Sequence, residues 1–504
     1  MAQDARAIGN VFLVTLLKGG GLLMTLGLVA LQAAAFGTTP VADGFYLARQ
    51  TLASAAGLAG AWLEKVFVPV FAADLSGGGG VAAERLGRLT LRLGLGGAAL
   101  TTALIAAAPW IVAGLAPGFG PEQADAAVAV FRILAVGLPL SVLAGLFAAL
   151  QFSRRKFGLA TIGQLMPRIL GLAGFAVAGL AIGAAELAWW LVAGMAAMAA
   201  ATGWAARRGL ARRGPGAEPP ARPVDRRHMA AVTAIFGAEM ALGWTTSALA
   251  SIGPPGTLAL AVMGLRLLNA APGMTTGAVG TVYYAEYAAG ALGDRPAQAG
   301  RIAAGLRLTA FFSMPVAALL LAVAEPITRI LLERGAFGGA DTAAVAGFVR
   351  LMVPSLLVNG AFGIFSAVLL ADPQMRALRV AVAQGAAAVA TRLALGWALV
   401  PAMGLTGLAI AILASGAVST AVIWWELRRV YGRLTLAQDR AALLRMGVAA
   451  AAAGVVAWGA ARLVPRAAEA PLAVAAFGVA YLGLSLWMGL PEARAMTARL
   501  RRRR

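Results

Sequence analysis

Hydrophobic residues fill this chain in long runs, and the breaks between them collect arginine, proline and glycine. Residues 93–106, 170–182 and 314–324 carry no charge at all. A helix that crosses a bilayer needs about 20 apolar residues. On that measure the pattern predicts helices over 8–36, 44–73, 89–115, 123–152, 157–182, 185–206, 229–252, 257–288, 300–324, 342–371, 375–400, 404–430, 441–463 and 470–490. The fold class is therefore an all-α polytopic membrane protein of about fourteen transmembrane helices.

The connections test this reading. Those holding Arg85 and Arg88, Arg154 to Lys156, Arg207 to Arg227, Arg295 and Arg301, Arg376 and Arg379, and Arg428 to Arg445 are rich in arginine. Those at 37–43, 113–122, 183–185, 253–256 and 401–403 have none, with 325–341 and 462–469 mild exceptions. Rich and poor connections alternate, so both termini and the rich loops are expected in the cytoplasm. Only an even number of helices preserves that alternation.

Composition sharpens the picture. Of 504 residues, 60% are hydrophobic and 12% charged, and the mean hydropathy is +0.81. A soluble chain carries about 25% charged residues. The net charge of +21 does not point to nucleic acid, because the arginines sit where a membrane protein keeps its cytoplasmic charge. With no cysteine, disulfides and thiolate metal sites are excluded. The first apolar stretch is too long for a cleavable signal peptide.

One stretch occurs twice. The first copy runs Ala108-Pro109-Trp110, Ala116-Pro117-Gly118-Phe119, Ala124-Asp125, Phe131-Arg132, Leu138-Pro139 and Gly145-Leu146-Phe147. The second runs Glu325-Pro326, Glu333-Arg334-Gly335-Ala336-Phe337, Ala340-Asp341, Phe348-Val349-Arg350, Val353-Pro354 and Gly360-Ala361-Phe362. Landmarks repeated in fixed order indicate duplication. Six predicted helices separate the copies, so both have the same orientation, and the pseudo-two-fold axis is expected along the membrane normal. The expected organisation is an N-terminal six-helix lobe (1–206), a basic cytoplasmic linker (207–228), a C-terminal six-helix lobe (229–430), a helix pair (441–490) and a basic tail (491–504).

Further pieces carry a family resemblance. They are Phe36-Gly37 with Ala42-Asp43-Gly44-Phe45-Tyr46, Phe67-Val68-Pro69-Val70-Phe71, the Ala108 to Phe119 motif, Pro272-Gly273 with Gly277 to Thr281, and Glu333 to Phe337. Together and in order they resemble the MurJ (MviN) family of lipid II flippases, within the multidrug/oligosaccharidyl-lipid/polysaccharide exporter superfamily. The resemblance covers about residues 10 to 430 and runs more weakly to the end. It implies two six-helix lobes around a central cavity, and a last helix pair forming a groove for the lipid tail. It implies a transporter and no enzyme chemistry: the headgroup of an undecaprenyl-pyrophosphate-linked peptidoglycan precursor crosses by alternating access, in the bacterial inner membrane. The expected partners are a lipid-linked saccharide and membrane lipids, without nucleic acid; the chain is expected to be a monomer with no cofactor, a coupling ion being left open. Two other readings stand beside it, namely a flippase of another polyprenyl-linked glycan or drug antiporter of the same superfamily, and a non-transporting scaffold for cell-wall assembly.

A pyrophosphate cannot cross hydrocarbon without cations, and arginine suits phosphate by its two-pronged fork. Where the family carries its first-helix arginines and acid, this chain has Leu22, Leu28 and Val29, and a helix-2 arginine falls near Ala55 or Ala56. The clamp candidates are instead Lys18, Arg49 and Arg266; the competing reading lets Lys18 and Arg49 snorkel to an interface. Asp43 is a cavity or coupling candidate, with a helix N-cap or first-turn acid as the competing reading. Glu239, the deepest-looking acid in the sequence, and Asn269, three residues after Arg266, are cavity or coupling candidates. Arg132, Arg168, Arg350 and Arg392 occupy equivalent places in the two halves and read as structural, near helix ends. His228 falls in the linker, and Glu333-Arg334 reads as closing a turn.

Overall fold

The computed structural model describes residues 2–77, 79–154, 157–208, 210, 226–270, 295–372, 375–432, 440–466 and 468–494. Most of the linker and of the basic tail, and the Pro272 to Thr281 motif, lie outside the described residues, as does the side chain of His228. Among the described residues there is no strand. The helices are α1 (Ala2–Phe36), α2 (Pro40–Gly77), α3 (Gly79–Leu115), α4 (Pro121–Ser153), α5 (Phe157–Gly163), α6 (Met166–Ala178), α7 (Ala184–Arg207), α8 (Arg226–Ser251) and α9 (Thr257–Ala270). They continue as α10 (Arg295–Leu332), α11 (Gly339–Met352), α12 (Pro354–Ala371), α13 (Ala377–Met403), α14 (Leu405–Tyr431), α15 (Arg440–Arg462) and α16 (Glu469–Trp487).

Ten of the described helical segments are long and apolar enough to cross a membrane, or eleven if the α11–α12 pair, bent by 46°, is one span. Proline explains where the observed helices depart from the predicted ones. Pro354 opens α12 and has no N–H to continue the helix ladder, so the span expected over 342–371 bends here by 46°. Pro167 lies in the first turn of α6, where the span expected over 157–182 is divided, and that span ends in a 3-10 turn at Gly179–Ala181. The helix expected over 300–324 continues to Leu332 through a kink at Val323 (φ −127°), before Pro326.

The chain forms two compact units. The first comprises Met1–Arg226 together with two short segments from later in the chain, Pro254–Ala259 and Arg334–Phe337. Its helices α2 and α4 approach closely because Gly44 has no side chain: a Cβ there would lie 2.8 Å from the Ala127 nitrogen. Phe71, Leu86, Leu146, Phe147 and Leu150 fill a core toward the other ends of these two helices. Nearby, Arg85 forks onto the buried carboxylate of Asp74, at 2.6 and 3.2 Å. The second unit comprises Arg227–Gly253, Leu260–Glu333 and Gly338–Arg504. Its core joins Ile302 to Ile364, Phe365, Val368, Leu369, Ile423 and Leu427. The C-terminal pair α15–α16 lies on α10, with Val323 seated among Ala453, Ala457, Ala473 and Phe477. The pair is held to α10 by Arg329 on Glu469 (2.8 Å) and by Arg307 close to Glu492 (2.7 Å).

Candidate functional site

The most elaborate polar construction in the first unit surrounds the α1–α2 turn. Helix α1 stops where Gly37 turns left-handed (φ 55°), and the Gly37 N–H closes onto the Ala33 carbonyl at 2.8 Å. Thr39 then caps α2. Its hydroxyl donates to the Phe36 carbonyl (2.9 Å) and accepts the Ala42 N–H (3.3 Å). Asp43 sits in the first turn of α2, as expected, but with Thr39 in place its carboxylate serves another helix.

That helix is α9. Asp43 Oδ2 accepts the Gly256 N–H at 2.6 Å, and Oδ1 accepts the Ala259 N–H at 2.8 Å. Gln123 Nε2 donates to Oδ2 at 2.9 Å, while Gln123 Oε1 accepts the Gly120 N–H at 3.1 Å, which fixes the amide's orientation. The first N–H groups of a helix lack partners and the helix dipole favours an anion there, so a carboxylate is the natural occupant. Asp43 is only 2% exposed. Three donors satisfy it where water is excluded.

Backbone approach makes this junction tight. The Ala336 N–H donates to the Ala34 carbonyl at 2.8 Å. A Cβ on Gly335 (φ 61°) would lie 2.3 Å from the Ala34 oxygen, and one on Gly37 would lie 2.6 Å from the Ala336 oxygen. The Glu333 to Phe337 motif therefore does more than close its own turn: it supplies the chain that packs on the end of α1, with Phe337 buried beside it.

The clamp candidates are distributed differently. Arg49, half-buried on α2 in the first unit, donates from Nη1 to Gln32 Oε1 on α1 at 2.7 Å. Lys18 lies on α1, with its side chain outside the described residues. Arg266 is half-buried on α9 in the second unit; Asn269 is exposed and its Nδ2 donates to the Leu265 carbonyl of its own helix at 2.8 Å. Glu239 lies on α8 with its side chain exposed at the protein's surface, whereas among the described residues the acids buried within the protein are Asp43, Asp74, Asp372 and Glu426. Leu28 and Val29, at two family arginine–acid positions, are buried, and Leu28 faces Gly171 of α6.

The four repeat-related arginines each serve helix packing. Arg132 Nε reaches the Ile105 carbonyl at 3.3 Å, the oxygen that Pro109, one turn on, cannot bond. Arg350 lies 3.6 Å from Glu325. Arg168 donates to Thr25 Oγ1 and to the Gln164 carbonyl, both at 2.8 Å. Arg392 is in the middle of α13, not near an end as expected. Burial at 7% exposure is tolerated because Ser415, Thr246 and the Leu242 carbonyl accept its N–H groups at 2.7–2.9 Å. Sequence reasoning missed Gln32 and Gln123. Their signal was an amide inside an otherwise apolar helical face, and nothing local announced the partner.

Residues 32–469 match the family model described as lipid II flippase MurJ. A probable lipid II flippase MurJ of Rhizobium meliloti is 28% identical over 425 residues, covering 79% of this chain and 76% of that protein. Among solved structures, lipid II flippase MurJ in an inward closed conformation superposes with a TM-score of 0.75 at 14% identity, covering 94% of this chain and 98% of that one. An inward-facing multidrug resistance MATE family transporter of the MOP superfamily superposes with a TM-score of 0.58 at 13% identity, over 82% of this chain and 95% of that one. These two likenesses are of fold alone. The match of 32–469 decides the rest: this chain belongs to the lipid II flippase MurJ family.

Proposed function

We propose that this protein moves the headgroup of lipid II from the cytoplasmic to the periplasmic leaflet of the bacterial inner membrane, by alternating access. The observation that carries the reading is the family match over 32–469, which takes in most of the apolar helices. The substrate's polyprenyl tail stays in hydrocarbon while the pyrophosphate needs compensation along its path. An ionised group left bare in the bilayer costs several kcal/mol or more. Lys18, Arg49 and Arg266 are the cations we assign to that task. Asn269 and Glu239 are the polar groups assigned to the same path.

Within the first unit the Asp43 junction combines a carboxylate on orphan N–H groups with backbone packed too closely to admit a side chain, which fixes the start of α9 beside the α1–α2 turn.

Complementation of a strain depleted of its own lipid II flippase tests the function. The wild-type chain is expected to restore growth, and Arg266→Ala to abolish the rescue at equal membrane abundance. Failure of the wild type removes the lipid II reading. Full rescue by the variant removes Arg266 from the clamp.

A further inference from the structure

Gln32 stands out among the buried polar side chains. It is 0% exposed on α1, inside an apolar stretch, four residues before the helix ends at Phe36. Its Oε1 accepts the Arg49 Nη1–H at 2.7 Å. Its Nε2 is buried and meets no hydrogen-bond partner among the described residues. A buried amide N–H left unpaired costs about 1–3 kcal/mol. An apolar residue here would avoid that cost, so packing alone does not account for an amide.

The contact has a direction. Side chains on a helix lean toward its N-terminus. Arg49 is nine residues into α2, so its guanidinium naturally leans back toward the α1–α2 turn, and Gln32 meets it there. The acceptor's charge matters as much as its place. A carboxylate at 32 would form an ion pair with Arg49 and compete with any phosphate for the fork. A leucine would leave the guanidinium without this anchor. An amide oxygen fixes one N–H while leaving the cation's charge uncancelled by that contact.

We propose that Gln32 is the positioning residue that orients Arg49 toward the substrate pyrophosphate, a role that rests on Arg49 belonging to the clamp. The substrate class is therefore read by a cation on α2 whose aim is set from α1. The unpartnered Nε2 is what this arrangement leaves over, since an amide that presents its oxygen to Arg49 must turn its nitrogen away.

The test uses the full-length chain in proteoliposomes with lipid II, measuring the substrate density that gives half-maximal flipping, the maximal rate and the thermal midpoint. Arg49→Ala is expected to raise the half-saturating density at least tenfold. Gln32→Glu is expected to raise it about as much, and Gln32→Met, of similar length but without an acceptor, by about threefold, with maximal rates within twofold of wild type. In the Arg49→Ala background neither Gln32 change should add anything. Should Arg49→Ala leave half-saturation unchanged, the assignment of Arg49 to the clamp fails and the positioning role falls with it. Should Arg49→Ala raise it while both Gln32 variants leave it at the wild-type value, the positioning role alone is overturned. It is overturned even where the Gln32 variants lower the thermal midpoint and the number of active carriers, because packing alone does not move half-saturation.

Discussion

The two copies of the internal repeat meet the same demands with different chemistry. In the first unit Arg168 of α6 holds Thr25 of α1, whose hydroxyl donates to Gly21 one turn back. In the second, Arg392 of α13 holds Thr246 of α8, whose hydroxyl donates in the same way to Leu242. Arginine, threonine and the carbonyl behind it recur. Burial differs: Arg168 is half-exposed, whereas Arg392 is enclosed and adds Ser415 as a double acceptor. Proline gives a second contrast. Pro109 frees a carbonyl in α3 that Arg132 fills, while near Pro326 the helix kinks at Val323 instead. The corresponding Arg350 joins an ion cluster in which Arg329 bridges Glu325 and Glu469 at 2.8 Å each. Duplication preserved where cations are needed inside the helices, and each unit solved separately how to satisfy them.

If burial is what separates the copies, acceptors should matter most in the second. Ser415→Ala takes the acceptor from Nε and Nη2 of an enclosed guanidinium and is expected to cost about 3 kcal/mol, because two donors of a buried cation are left unsatisfied while Nη1 keeps Thr246 and Leu242. Arg392→Met removes the charge along with its bonds and is expected to cost less, about 2 kcal/mol, since Ser415 and Thr246 keep their own-helix carbonyls. Arg168→Met, at a site water reaches, should cost about 1 kcal/mol, and Arg132→Met about 0.5 kcal/mol. Thermal unfolding in detergent checks the order. An Arg168→Met loss equal to that of Ser415→Ala would erase the distinction between the copies.

Much of the helical plan was legible in the sequence because bilayer thickness forces long apolar runs, and 121–153 or 405–431 could hardly be read otherwise. The bends at 353–354 and at Val323 were legible only as prolines, because whether a helix kinks or recruits an arginine depends on what packs beside it. The candidate site was less legible. Asp43 was visible as an acid at a helix start, but its partner Gly256 lies 213 residues away, and Thr39 rather than Asp43 caps α2. Gln32 was an anomaly in an apolar helix whose meaning came only with Arg49. Glu239 stands out by its position along an apolar helix, and the face of α8 that carries it, exposed at the protein's surface, could not be read from that position.

Transbilayer movement of lipid II in proteoliposomes holding the purified chain alone decides whether this protein is a carrier of that substrate. Movement well above that of protein-free vesicles is expected, slowed at least tenfold at low substrate density by Arg49→Ala and by Arg266→Ala, with both variants folded. Wild-type movement no faster than that of empty vesicles, or both arginine variants moving substrate at the wild-type rate, would contradict it.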